Sequence, residues 1–139
     1  MKKVILLVED SDDDVALTRR AFEKHRIANE IVVASDGRQA LDMLLAPEPL
    51  VPQVVLLDLN LPRLGGLEVL RRLRADARTA LLPVVVLTSS DHDRDVIESY
   101  RLRANSFVRK PVDFLEFVEA ARQLGLYWLV LNEPPRQDV

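Results

Sequence analysis

The sequence predicts a three-layer α/β sandwich, with helices on both faces of a five-stranded parallel sheet. Three observations carry that prediction. Strand-like and helix-like segments alternate five times along the chain. The strand-like segments include unbroken apolar runs such as Val54-Val55-Leu56-Leu57, which mark strands buried on both faces. The helix-like segments carry apolar residues at helical spacing with charged residues between them.

Lys3–Val8 is a short apolar run and reads as the first strand. It ends in Glu9-Asp10-Ser11-Asp12-Asp13-Asp14, where five of six residues are carboxylates. Asp12, Asp13 and Asp14 suit the first turn of a helix, since acids there complement the helix dipole. Glu9 and Asp10 precede that helix, and their mutual repulsion favours a nearby cation. The helix runs to about Lys24, with Leu17, Ala21 and Phe22 as its expected buried stripe. Ile31–Ala34 is the second strand, and Ser35-Asp36-Gly37 turns the chain into a second helix with Ala40, Leu41 and Leu44 on its apolar face. Pro47, Pro49 and Pro52 end that helix, because proline cannot continue it.

The third strand, Val54 to Leu57, runs into Asp58 and then a loop shaped by Pro62, Gly65 and Gly66. Leu67, Leu70 and Leu73 form the stripe of a third helix, and Glu68, Arg71, Arg72 and Arg74 read as its solvated face. Val84–Leu87 is the fourth strand, leaving into Thr88-Ser89-Ser90-Asp91. Val96, Ile97 and Tyr100 line a fourth helix. Ser106–Arg109 is the fifth strand, ending in Lys110-Pro111, and Val112–Gln123 is the fifth helix. Asn132–Val139 reads as a frayed end.

Composition narrows the function. The chain has 139 residues, 48% hydrophobic and 29% charged, as expected of one folded domain. A net charge of -3 argues against a nucleic-acid-binding surface. With no cysteine, thiolate metal sites and thiol nucleophiles are excluded. No apolar run reaches membrane-spanning length, and the N-terminus lacks the pattern of a signal peptide. A cytoplasmic protein with neither nucleic acid nor membrane as partner is the expectation.

The polar strand ends form a pattern. Asp10 follows strand one, Asp58 strand three, Thr88 strand four and Lys110 strand five, and parallel strands bring all four to one edge of the sheet. Strand two contributes no such group. That suits the flavodoxin-like order 2-1-3-4-5, in which strand two is at the edge and strands one and three flank the ligand-binding switch point. Each residue also has a plainer reading: Asp58 as a turn former, Thr88 as a helix starter, Lys110 as a solvated charge. Glu9, Asp10 and Asp58 together call for a hard divalent cation such as Mg2+. A hydroxyl and an ammonium beside it make a pocket for an anion such as a phosphoryl group.

This constellation resembles the receiver domain of two-component response regulators. The resemblance spans about residues 3–123 and rests on Val8-Glu9-Asp10, Asp58-Leu59-Asn60-Leu61-Pro62 with Gly65-Gly66, Leu87-Thr88-Ser89 and Phe107-Val108-Arg109-Lys110-Pro111. It implies that Asp58 is the phosphoacceptor. It implies that Asp10, Asp58 and the Asn60 backbone carbonyl ligate Mg2+, with Glu9 acting mainly through water. Thr88 would hydrogen-bond the phosphoryl group, Lys110 would pair with it, and the Lys110–Pro111 bond would be cis, which proline makes accessible. Phe107 stands at the aromatic switch position, where many members carry Tyr. Thr88 moving inward would let Phe107 follow, altering the surface of helix four, strand five and helix five.

The resemblance also implies a phosphorelay. A sensor histidine kinase donates its phosphoryl group, and the chain contributes only autophosphorylation and autodephosphorylation chemistry. It is not an enzyme in the usual sense, and no ATP-binding motif marks it as the kinase. Residues 1–125 are expected to form the receiver and 126–139 an extension of helix five plus a tail, with no separate output domain. The acid run, Asn105-Ser106-Phe107 and Tyr127-Trp128-Leu129 look like the regulators that partner bacterial phytochrome kinases.

Three other functional classes share some of these features. A Mg2+-dependent phosphohydrolase of the haloacid dehalogenase type would carry a second Asp two residues after its nucleophile, where this chain has Asn60. A pseudo-receiver acting only as a binding module would be expected to lose part of the acid pocket, and this chain keeps it. A flavin-binding flavodoxin would need a phosphate loop after strand one, where this chain places acids. Finally, Leu124–Leu131 is apolar apart from Gly125. With Phe117, Leu124, Tyr127, Trp128 and Leu131 on the face of helix five and its tail, a twofold homodimer is the expectation.

Overall fold

Five short strands pair side by side, all parallel, in the order β2-β1-β3-β4-β5. A computed structural model describes residues 4–24, 29–88, 98, 100–104 and 106–109, with the side chains of 21, 24, 88 and 106–109 outside that description. The strands are β1 (Val4–Val8), β2 (Glu30–Ala34), β3 (Val54–Asp58), β4 (Val84–Thr88) and β5 (Ser106–Arg109), and the helices between them are α1 (Asp12–Lys24), α2 (Gly37–Leu44) and α3 (Gly66–Ala75). This is the predicted strand order. The fifth helix and the tail, including Phe117, Leu124, Tyr127, Trp128 and Leu131, lie outside the described residues, as do Lys110 and Pro111.

The unbroken apolar strands are buried as their pattern requires. Every residue of β3 is buried, and so are Ile5 to Val8 and Val84 to Leu87. Removing such surface from water supplies roughly 25 cal/mol per Å² of apolar area. On one face Ala40, Leu41 and Leu44 of α2 join Val69, Leu70 and Leu73 of α3 over Leu6, Val8, Val55 and Leu57.

Three helix faces differ from the sequence expectation. On α1, Leu17 is 53% exposed, while Thr18 and Phe22 are buried. Thr18 can go inside because its hydroxyl donates to the Asp14 carbonyl at 2.9 Å. On α3, Val69 is buried, with Leu70 and Leu73, and Leu67 packs only at the margin. Tyr100, expected to line a fourth helix, is 52% exposed.

Arg74 is not part of a solvated face. Its guanidinium donates to the carbonyls of Thr79, Ala80 and Leu82 after α3, and to those of Leu102 and Arg103 before β5. Partial burial lowers its pKa from the ordinary guanidinium value, with the nearby Arg103 adding to the effect. Five donors in a rigid plane make arginine suited to gathering several carbonyls.

Candidate functional site

Strand register assembles the site. Val8 pairs with Leu57 across β1 and β3, so Glu9 comes level with Asp58. The Glu9 amide continues the sheet onto the Ala34 carbonyl at 3.0 Å, and the Leu59 amide does the same onto Leu87 at 3.1 Å. Both acids are therefore held by backbone that is still part of the sheet. Asp58 is 2% exposed and Glu9 3%, while Asp10 is exposed.

A carboxylate oxygen from each of Glu9, Asp10 and Asp58 lies within 4.8 Å of the others. Two negative charges at that separation repel by about 3 kcal/mol at an effective permittivity near 20, before any counter-charge is counted. Three such oxygens from two adjacent strand ends fit a hard divalent cation with oxygen ligands. Local hydrogen bonds orient the acids. The Asn60 amide donates to Asp58 Oδ1 at 3.0 Å, and the Ser11 amide donates to Glu9 Oε2 at 3.2 Å. Ser11 also caps α1, its hydroxyl accepting from the Asp14 amide at 3.2 Å, so the acid run starts a helix as its composition suggests.

The bend after Asp58 requires Gly66. A β-carbon there would collide with the Asp58 carbonyl and lie 2.7 Å from Leu59 Cα. The Gly66 amide returns to the Leu59 carbonyl at 3.2 Å, closing the loop back onto the strand end.

As the sequence suggested, Ser35-Asp36-Gly37 turns the chain from β2 into α2, and the acid cluster draws only on β1 and β3. Asp36 follows β2, is buried and caps α2, accepting from the Gln39 amide at 2.8 Å. Gln39 reaches back to the Ser35 amide at 2.8 Å, a reciprocal cap that the Asp-x-x-Gln spacing could have revealed. The carboxyl of Asp36 is held below its ordinary value, first by the Gln39 amide and, against the opposing effect of burial, by Arg63. Arg63 Nη1 donates to Asp36 Oδ2 at 3.3 Å. No spacing rule links residues so far apart.

Thr88 closes β4 opposite Arg109 of β5, and Phe107 lies opposite Val86. The backbone thus brings the ends of β3, β4 and β5 to the same edge as the acids. The side chains of Thr88 and Phe107 lie outside the described residues, as does Lys110.

Residues 5–122 match the model of the response regulator receiver domain. The chain belongs to that family. This receiver is 38% identical over 135 residues to the probable methanogenesis regulatory protein FilR2 of Methanothrix harundinacea, covering 95% of this chain and 87% of the relative. It is 35% identical to the response regulator Rcp1 of Synechocystis, covering 91% of this chain and 89% of that one. Among solved structures it is similar to the bacteriophytochrome response regulator AtBRR, with a TM-score of 0.83 and 46% identity over 96% of this chain and 99% of that one. A structure of Rcp1 with Mn2+ bound matches at a TM-score of 0.77 and 34% identity, over 96% of this chain and 99% of that one. The receiver is a phosphoryl-accepting signalling domain related to the phytochrome response regulators. Its acid cluster and that Mn2+-bound relative point to a divalent cation. No helix among the described residues is long and apolar enough to cross a membrane.

Proposed function

We propose that Asp58 is the residue phosphorylated, in a Mg2+-dependent transfer from a sensor histidine kinase. The observation that carries this reading is the placement of Asp58. It is a buried carboxylate at the end of the central strand, one oxygen held by the Asn60 amide, beside Glu9 and Asp10. An oxygen of Asp58 attacks phosphorus as the phosphorus–nitrogen bond of a phosphohistidine breaks. The electron pair of that bond leaves with the imidazole, and an acyl phosphate forms on Asp58. When bound, Mg2+ supplies positive charge against the oxygens of the transferring group. Asp10, Asp58 and the Asn60 carbonyl are its proposed ligands, with Glu9 acting through water.

Thr88 and Lys110 complete the reading as a hydroxyl donor and a cation for the phosphoryl oxygens. Phe107 is the residue that responds to the displacement of Thr88, and Lys110–Pro111 is the cis bond that sets the lysine. The same site supports labelling by small phosphodonors and slow hydrolysis of the acyl phosphate, with no other catalysis. Likeness to the bacteriophytochrome response regulator AtBRR supports a bacterial phytochrome as the kinase. Residues 1–125 form the receiver, which works in the cytoplasm. The apolar segment Leu124–Leu131 supports self-association through Phe117, Leu124, Tyr127, Trp128 and Leu131.

The test is intact-mass measurement after incubation with acetyl phosphate. One phosphoryl group is expected on the wild type with Mg2+, none on Asp58→Asn and none in chelator. Equal labelling of wild type and Asp58→Asn would remove the assignment.

A further inference from the structure

The loop between β3 and α3 contains a strained residue. Arg63 holds φ at 66° and is the centre of a three-residue turn, closed by the Leu64 amide donating to the Pro62 carbonyl at 2.7 Å. A turn of this kind at positive φ is rare, and a residue with a β-carbon adopts it at an energetic cost. Such strain persists only where the surroundings impose it.

The N-terminus of α2 imposes it here. Arg63 Nη1 is tied to Asp36 Oδ2 at 3.3 Å. The next residue, Leu64, presents its carbonyl to Gly37 so closely that no β-carbon fits there, and Val69 Cγ2 closes the same space. Two adjacent loop residues are thus gripped by two adjacent residues of the α2 cap. The same loop carries the Asn60 amide that holds Asp58 Oδ1, and it ends in Gly66 against the Asp58 backbone. Asp36 is itself fixed by the Gln39 amide, so the tether has a rigid anchor.

We infer that Arg63 is a positioning residue for the phosphoryl chemistry of Asp58: its ion pair with Asp36 holds the strained turn that keeps the Asn60 peptide against the Asp58 carboxylate. This rests on the reading that Asp58 is the phosphoacceptor. Global stability is a poor explanation of the pair. Arg63 is 74% exposed, exposed pairs contribute little to folding, and the turn itself opposes it. The chemistry is where a small shift of the loop is felt, because misplacing one donor on a reacting carboxylate lowers the rate directly.

The experiment compares full-length wild type with Arg63→Gln, Asp36→Asn, Arg63→Lys, Arg63→Gly and Asp58→Asn. Acetyl phosphate labelling is timed at limiting Mg2+, Mn2+ affinity is read by electron paramagnetic resonance, and melting is recorded without metal. Arg63→Gln and Asp36→Asn are expected to slow labelling and weaken Mn2+ binding by about two- to fivefold, the range open to a partly exposed pair. A double variant that combines Arg63→Gln with Asp36→Asn should be no slower than the slower of the two single ones. Arg63→Lys should recover most of the rate. Arg63→Gly separates positioning from folding, because glycine takes a positive φ at no steric cost. It should melt no lower than wild type and still label slowly. Wild-type rates and Mn2+ affinities in the Arg63 and Asp36 variants, with Asp58→Asn unlabelled, would overturn the inference while leaving the phosphoacceptor in place. So would losses that only track the unfolded fraction in the melts. Labelling of Asp58→Asn at the wild-type rate would overturn the parent reading, and this inference with it.

Discussion

The carbonyl of Asp58 occupies the space that a β-carbon on Gly66 would need. The first residue of α3 therefore rests on the backbone of the proposed phosphoacceptor. Gly66→Ala should reverse the usual preference of helices, in which alanine is favoured over glycine by about 1 kcal/mol. Here the methyl group forces the loop off the strand end, and a loss of roughly 2 kcal/mol is expected. Urea unfolding of the two proteins gives the sign directly.

Divalent cations should stabilise the fold. Binding to the native state alone contributes about 2.7 kcal/mol at a concentration one hundred times Kd. Mg2+ or Mn2+ should raise the melting temperature by several degrees, and chelator should restore it. Asp10→Asn and Asp58→Asn should each remove most of that rise. A rise of equal size in both variants would move the cation elsewhere.

Arg74 gathers carbonyls from both sides of β4, at Thr79, Ala80, Leu82, Leu102 and Arg103. Arg74→Ala leaves them to water or to nothing, and a loss of about 2 kcal/mol is expected. Arg74→Lys should recover little, since one ammonium cannot reach the same set. Differential scanning calorimetry of the three proteins tests both statements.

Acid should act through Asp36 and Asp76. Both are held below the ordinary aspartate value of 3.8, Asp36 chiefly by the Gln39 amide and Asp76 chiefly by the Arg78 guanidinium. A carboxyl whose pKa is lowered by folding stabilises the fold while ionised. That contribution is complete above the unfolded value and is lost as pH falls through the folded one. Melting curves of wild type and Asp36→Asn should run parallel at neutral pH. Below about pH 4 the variant should lose stability less steeply.

Self-association is tested by analytical ultracentrifugation over a concentration series, with and without phosphorylation. The wild type should show a dimer that Trp128→Glu weakens. A monomer at high micromolar concentration in both states would rule the dimer out, and a dimer indifferent to Trp128→Glu would place its interface elsewhere.

Sequence alone determined the parallel sheet and the edge on which the acids meet, while the strand order followed from likeness to the flavodoxin-like arrangement. Unbroken apolar runs such as Val54–Leu57 can only be buried on both faces, and parallel strands must all end on one side. Glu9, Asp10 and Asp58 follow from those two facts, because each is fixed by its distance from a strand end. Only the tertiary structure decided which face of α1 turns inward, with Thr18 replacing Leu17, and which arginine of α3 is structural. Those outcomes depend on partners far away in the chain: Arg74 on carbonyls of Leu102 and Arg103, and Arg63 on Asp36 across 27 residues. Periodicity reports the neighbours a helix has along itself, and the tether between Asp36 and Arg63 joins two loops that only the folded sheet places side by side.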